Sequence, residues 1–518
     1  MNRKHAALIA CLCALTTLLS SCAGSGVPLK EETQITLPPA DSGDAVAPIG
    51  DAALEYEAPA TLYLPRHDGA RLIAVPQQVT FSAARLHAES LVRALLASEG
   101  SGVASAVGGS VRLSLYGANP VEVSGDVATV NLSASALQLD RKSFYLACQA
   151  IANTLTELDG LTYVNVQVMD KQIGLDLAST LPTGAFTRSV GADVSAAYEQ
   201  TLAQRVSAGE DASQKRLTSV VTLYFPLSAL DGVEPEARSI SFTSQALPDM
   251  IVRILQELSE GPDRVTGSPA LPLLSELLAQ APTVTELPDG GKQAELAFTY
   301  SFDDMLQTCG VSRASCLAAL CNTLCTFLPN LTSLTVTIGD EKVDHLRLAA
   351  NQPEQALLFE GGVQRRANYA SFLLAPCTLY FTDGTQLVAC ERPVAFYQRQ
   401  NPRFLLLELA RGPQPQDSVQ GLSPVMPVGA LRDADVLGVS LHDGTLLVNF
   451  AQTFAGIGGE LTESGDRLLA YALVNTLFCG PGVRRVRFFV AGGMPKGFTG
   501  EIYWGGDFYR NLGLVRSN

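Results

Sequence analysis

Few residues in this chain are spaced for chemistry. Beyond residue 22 its histidines are His67, His87, His345 and His442, far apart in sequence, with His442 beside a hairpin turn. No Gly-x-Ser-x-Gly elbow, His-Glu-x-x-His pair or Walker loop occurs. Gly456-Ile-Gly-Gly459 is glycine-rich but has no lysine to meet a phosphate, which favours a flexible loop. Asp303 and Asp304 are adjacent and so point to different sides. Cys309, Cys316, Cys321 and Cys325 fall in and before one helix, with Cys321 and Cys325 on one face. Their spacings do not match the short Cys-x-x-Cys knuckles of zinc sites. Small buried thiols are the first reading, ahead of a disulfide or a metal. These residues imply no catalysis, no metal and no cofactor.

Three other groups have a pattern that wants a reason. Asn153, Asn322 and Asn475 recur in the last third of a helix, where asparagine is a poor choice. They are expected either to hydrogen-bond a neighbouring strand or loop, or to face a partner. Trp504, the one tryptophan, lies in an aromatic run from Ile502 to Tyr509. It either caps a domain or presents a sticky surface to a partner or glycan. Asp383-Gly384 reads as a two-residue hairpin turn. That turn would place Cys377 opposite Cys390 at a non-hydrogen-bonded pair, where Cα atoms lie ~4.5 Å apart, at the short end of disulfide geometry. A Cys377–Cys390 bridge and two half-buried thiols both remain open.

These residues sit in a repeated framework. Thr61-Leu62-Tyr63, Thr222-Leu223-Tyr224 and Thr378-Leu379-Tyr380 are each followed, after a long interval, by Asn153-Thr-Leu, Asn322-Thr-Leu and Asn475-Thr-Leu. That order is a repeat of whole domains rather than of solenoid units. Between the marks run an amphipathic helix (Ala83 to Ser98, Pro248 to Glu260, Pro402 to Ala410), a strand, a tight turn (Gly125-Asp126, Asp289-Gly290, Asp443-Gly444), an alternating strand and a second helix. A β-rich strand closes each unit. The expected class is α+β: three tandem β-α-β-β-α-β units, each a small mixed or antiparallel sheet packed against two helices.

The pattern resembles the GerM domain of sporulation and spore germination, in three copies over roughly 60–175, 218–345 and 376–492. The Leu-Tyr strand, the helix stops Gly261-Pro262 and Gly412-Pro413, Leu271-Pro272, Met426-Pro427, Val130-Asn131-Leu132, Val448-Asn449-Phe450 and the Asn-Thr-Leu helix carry the resemblance. The first copy lacks the Gly-Pro and Leu-Pro elements, and the second has Leu296-Ala297-Phe298 where an Asn is expected. The resemblance implies a membrane-tethered scaffold of the cell envelope, similar in fold to ring-building modules, without catalytic residues. Its partners would be other sporulation or envelope proteins or a second copy, with peptidoglycan or a solute as the alternative ligand.

The beginning of the chain gives the expected location. A basic start, an apolar run from Ala6 to Leu19 and Leu19-Ser20-Ser21-Cys22 form a secretion signal that resembles a bacterial lipobox. Lipidation of Cys22 would anchor the protein outside the cytoplasm, at the outer face of the cytoplasmic membrane. The apolar run is too short to span a bilayer, which takes roughly 20 residues. The net charge of −15 argues against nucleic acid and against anionic lipid surfaces, leaving the lipid as the membrane contact. The expected organisation is a signal and lipobox over 1–22, a tether over 23–59, a divergent first domain over 60–178, a linker over 179–217, and a second domain over 218–345. A linker over 346–375, a third domain over 376–495 and an aromatic tail over 496–518 complete it.

Overall fold

The computed structural model describes residues 46–516, except 52–54, 70, 83–84, 174–183, 190–195, 197–216, 228–230, 266–267, 349–355, 461–462, 479, 481 and 500–501. Cys22, the signal, most of the tether, most of the 179–217 linker and Cys479 lie outside the described residues. Among the described residues no helix is long and apolar enough to cross a membrane.

The chain is mixed α and β, with small sheets and several helices. The first stretch runs β1 (Glu55–Pro65), β2 (Leu72–Ser82), α1 (His87–Ala97), β3 (Val121–Ser124), β4 (Val127–Leu132), α2 (Arg141–Leu155) and β5 (Tyr163–Val168). The second runs β6 (Leu217–Pro226), β7 (Val233–Phe242), α3 (Leu247–Ser259), β8 (Thr283–Glu286), β9 (Lys292–Phe298), α4 (Phe302–Cys309), α5 (Arg313–Phe327) and β10 (Leu331–Ile338). Four short strands follow: β11 (Glu341–Lys342), β12 (His345–Arg347), β13 (Ala356–Leu358) and β14 (Val363–Gln364). The third stretch is β15 (Leu374–Thr382), β16 (Leu387–Ala395), α6 (Pro402–Ala410), β17 (Val436–His442), β18 (Thr445–Phe450), α7 (Glu463–Leu477) and β19 (Arg485–Val490).

The order differs from the expected β-α-β-β-α-β. Each opening strand is half of an antiparallel hairpin, β1–β2, β6–β7 or β15–β16, with a further strand before the first helix. Each later sheet has an antiparallel pair followed by a parallel closing strand: β3-β4-β5, β8-β9-β10 and β17-β18-β19. Local chemistry explains the boundaries. Asp443 and Gly444 both take positive φ, 46° and 74°, as a two-residue hairpin with right-handed strand twist requires. The Asn401 side chain accepts from the N–H groups of Arg403 and Phe404, and Pro402 fills the first turn of α6. Asp140 caps α2 in the same way through Lys142 and Ser143.

Two apolar cores form. One runs through the first and second stretches and takes in Phe359, Tyr369, Phe372 and Leu373, residues expected to be linker. The other belongs to the third stretch and takes in Trp504 and Phe508 from the expected tail. Helix α5 is buried from Ala314 to Phe327, as a helix packed on all sides must be. Cys316, Cys321 and Cys325 lie on it as free thiols, and burial pushes the Cys316 and Cys321 thiols well up. At the start of the described chain, the Gly50 N–H donates to Leu437 O at 2.8 Å, and Asn449 Nδ2 donates to Pro48 O at 3.0 Å. Asp51 accepts from Arg403 Nε at 2.8 Å. Residues 48–51 are thus stitched along the free edge of β17.

Candidate functional site

The Thr-Leu-Tyr strands and the Asn-Thr-Leu helices meet. Leu62, Leu223 and Leu379 point into the cores and are fully buried, so the flanking Thr and Tyr share the opposite face of each hairpin. The Tyr63 N–H donates to Thr154 Oγ1 at 3.0 Å, and the Tyr224 N–H to Thr323 Oγ1 at 2.9 Å. In the third stretch Thr476 Oγ1 is buried without a partner.

Asn153 and Asn475 act alike. Asn153 Nδ2 donates to Ser189 O at 2.8 Å, and Asn153 Oδ1 accepts the Ser189 N–H at 2.9 Å. Asn475 Nδ2 donates to Asn511 O at 2.9 Å and its Oδ1 accepts the Asn511 N–H at 3.0 Å. Each amide stands in for a strand neighbour and holds a segment 36 residues downstream. Asn322 instead donates to Ala318 O within its own helix, and its Oδ1 is buried without a partner.

The held segments share a further pattern that the sequence reading missed. Phe186, Gln364 and Phe508 bridge antiparallel to Val164, Leu334 and Val486, four residues before the end of the parallel pairing with the central strand in each sheet. Two residues on stands an arginine each time: Arg188, Arg366 and Arg510. Arg188 Nη2 donates to Tyr63 Oη at 2.7 Å, lies 5.5 Å over that ring and pairs with Glu157. Arg510 Nη2 donates to Tyr380 Oη at 3.1 Å. The signal was available as Phe186-Thr-Arg188-Ser189 and Phe508-Tyr-Arg510-Asn511.

Arg366 turns away from its own stretch. Its Nη1 donates to Gln167 Oε1 at 2.7 Å and its Nη2 to Glu122, both on the first stretch. Burial opposes its charge, but Glu122 and then Tyr224 outweigh that and hold the guanidinium above its ordinary value. This is the centre of a contact between the outer face of β3-β4-β5 and the Thr-Tyr face of β6–β7. Asn165 Nδ2 donates to Thr222 Oγ1 at 2.9 Å, and Arg264 Nη1 to Asp126 Oδ2 at 2.8 Å. Thr129, Asn165, Gln167 and Thr222 are all buried there. Burial, chiefly, raises the Tyr224 hydroxyl above its usual value.

The remaining expected sites are dispersed or enclosed. Trp504 is fully buried, its ring centroid 5.0 Å from that of Phe498 and 5.4 Å from Phe488, and its Nε1 donates to Asp466 Oδ1 at 2.8 Å. An indole with its N–H bonded inside a core offers no surface to a glycan. Cys377 faces Arg392, and Cys390 faces Leu379, so the two thiols are diagonal and no disulfide joins them. The expected opposition fails because the loop has four residues, with Thr382 paired to Leu387; Asp383 Oδ1 accepts from the N–H groups of Thr385 and Gln386 and opens the turn. Asp303 is committed to Arg313. His67 bonds Gly102 O, His87 bonds Tyr56 Oη and His345 bonds Asp344. Among the described residues no three His, Cys, Asp or Glu side chains group as a metal site.

A tyrosine face and a polar sheet face are thus buried against each other within the chain. Residues 61–174 and 378–494 match the family model Germane, described as sporulation and spore germination. The tandem GerMN domains of the sporulation protein GerM from Bacillus subtilis are similar at 19% identity and a TM-score of 0.22, over 60% of this chain and 99% of that one. A protein from Clostridium perfringens described as a lipoprotein is similar at 18% identity and a TM-score of 0.17, over 28% of this chain and 93% of its own. No curated protein matches the chain.

Proposed function

We propose that this protein is a non-enzymatic, lipid-anchored scaffold of the cell envelope, built of three GerM-type modules that assemble proteins in sporulation or spore germination. The carrying observation is that the outer sheet face of the first stretch is buried on the Thr-Tyr face of the second, a face whose residues recur at Thr61/Tyr63 and Thr378/Tyr380. A chain that uses this contact internally has the surfaces to use it with other proteins. The middle module is supported by its strand register, which repeats that of its two neighbours. The anchor rests on Leu19-Ser20-Ser21-Cys22.

The test is a cross-linking pull-down with C-terminally tagged protein from sporulating and vegetative cells. Recovery of sporulation membrane proteins from sporulating cells alone is expected. Recovery of peptidoglycan or its synthases in both states would replace this reading with a general wall-binding one. In parallel, Cys22→Ala is expected to move the protein from the membrane to the soluble fraction, and unchanged membrane retention would remove the lipid anchor.

A further inference from the structure

The internal contact leaves two matching surfaces unused. The sheet face that the first stretch buries is carried by Glu122, Thr129, Asn165 and Gln167. Register aligns these with Thr283, Glu295, Thr335 and Thr337 of the second stretch. There the face is open: Thr283 and Glu295 are exposed, while Thr335 and Thr337 are half-buried. The Thr-Tyr face of β6–β7 that receives it is carried by Val220, Thr222, Tyr224, Pro235 and Ala237. On β1–β2 the same positions are Pro59, Thr61, Tyr63, Ala74 and Pro76, and Pro59, Ala74 and Pro76 are exposed.

We infer that the open sheet face of β8-β9-β10 docks on the β1–β2 hairpin of a second copy of this chain, repeating between molecules the contact that joins the first two stretches. This rests on the reading of the modules as assembly units. The occupant follows from continuity. The first stretch gives its sheet to the second, and the second has a vacant sheet of the same register. Of the two open hairpins, β15–β16 carries exposed Glu391 opposite Thr378, where β1–β2 carries Pro76 opposite Thr61, so like charge turns Glu295 away from the third stretch and towards another first stretch.

Charge complements this. Within the chain the arginine two residues beyond the bridge, Arg366, reaches the docked sheet at Glu122. Its counterpart on the first stretch is Arg188, which is held on that face by Tyr63 and Glu157, and the docked sheet would bring Glu295 to it as a second carboxylate. Glu122 faces Thr129 across the strands, and Thr283 faces Glu295, so the carboxylate has only changed strand. Such a contact joins two different surfaces, so it generates a closed ring or an open filament rather than a two-fold dimer.

The test uses full-length chains in detergent, carrying one new cysteine each, Thr335→Cys or Thr61→Cys. These positions correspond to Asn165 and Thr222, whose side chains are hydrogen-bonded at 2.9 Å. Under mild oxidation the mixture is expected to give a disulfide-linked dimer at least about fivefold above either variant alone, because the described native thiols are mostly buried. Adding Glu295→Arg to the Thr335→Cys chain is expected to return the yield to background. An internal control, Asn165→Cys with Thr222→Cys in one chain, is expected to close a reducible link within the monomer. If the internal link forms and the mixture gives no excess dimer, or an excess that Glu295→Arg leaves unchanged, self-docking is overturned. If the internal link also fails, the module-on-module contact falls with it.

Discussion

Asn153 and Asn322 occupy the same place on equivalent helices, yet only Asn153 holds anything beyond its own helix. Asn153 closes on Ser189, as Asn475 closes on Asn511, and in both stretches the arginine just before the held residue turns back to its own tyrosine. In the middle stretch the chain enters a 3-10 helix, Arg366–Phe372, directly after β14. No extended backbone is then presented to Asn322, and Arg366 is released to reach Glu122 and Gln167 on the first stretch. The same framework makes a self-clamp at the two ends and a joint in the middle. What decides between them is the conformation of the few residues after the bridging strand.

Arg366→Ala should break that contrast most. It leaves Glu122 without its partner inside the joint, and losing one member of a buried charge pair costs about 3–5 kcal/mol. Chemical denaturation should show this, with the equivalent Arg510→Ala, at an exposed arginine, costing under about 1 kcal/mol. Equal effects would erase the distinction between joint and clamp. Asn153→Ala and Asn475→Ala should each cost about 1–3 kcal/mol, because each strands a backbone N–H and C=O. Hydrogen exchange should localise the loss to the segments around Ser189 and Asn511. Asn322→Leu should be neutral or slightly stabilising, since it removes a buried amide oxygen without a partner. A loss as large as that of Asn153→Ala would give Asn322 a hidden partner.

The smallest effect concerns the contact between the first and third stretches, where His87 meets Tyr56, Phe81 and Arg399. Burial first, and then Arg399, lower the His87 pKa from its ordinary 6.5. The unfolded chain therefore binds this proton more readily, so stability should fall as pH drops below about 6.5. Thermal unfolding at pH 7.5 and 5.5 should show a shift that His87→Phe reduces. An undiminished shift would assign the acid sensitivity to other groups. The Arg366 joint should not titrate in this range, since arginine keeps its charge.

Much of this organisation was legible because the repeated marks bond one another: Thr154 receives the N–H of Tyr63, and Thr323 that of Tyr224. Second hairpin strands were harder to see. β2 carries Pro76 ahead of two glutamines, and β7 carries Pro235 between two glutamates, and proline inside a strand signals against one unless the strand lies at an edge. The clamps were invisible for a different reason. Their second halves stand far downstream, in residues that composition assigns to linker and tail, and no local periodicity ties Asn475 to Asn511. For Trp504 the sequence left a domain cap and a sticky surface both open, because the acceptor that decides between them, Asp466, stands 38 residues upstream.

The seam between residues 48–51 and β17 has a mechanical consequence. The earliest described part of the chain is fastened to its last stretch, through Leu437, Asn449 and Arg403, before it enters β1. A pull applied upstream of Val46 would load that seam in shear and share the force between the two ends of the sequence. Cutting away the third stretch would therefore do more than shorten the protein: it would leave the leading segment without its bearing and let tension run straight into the first hairpin.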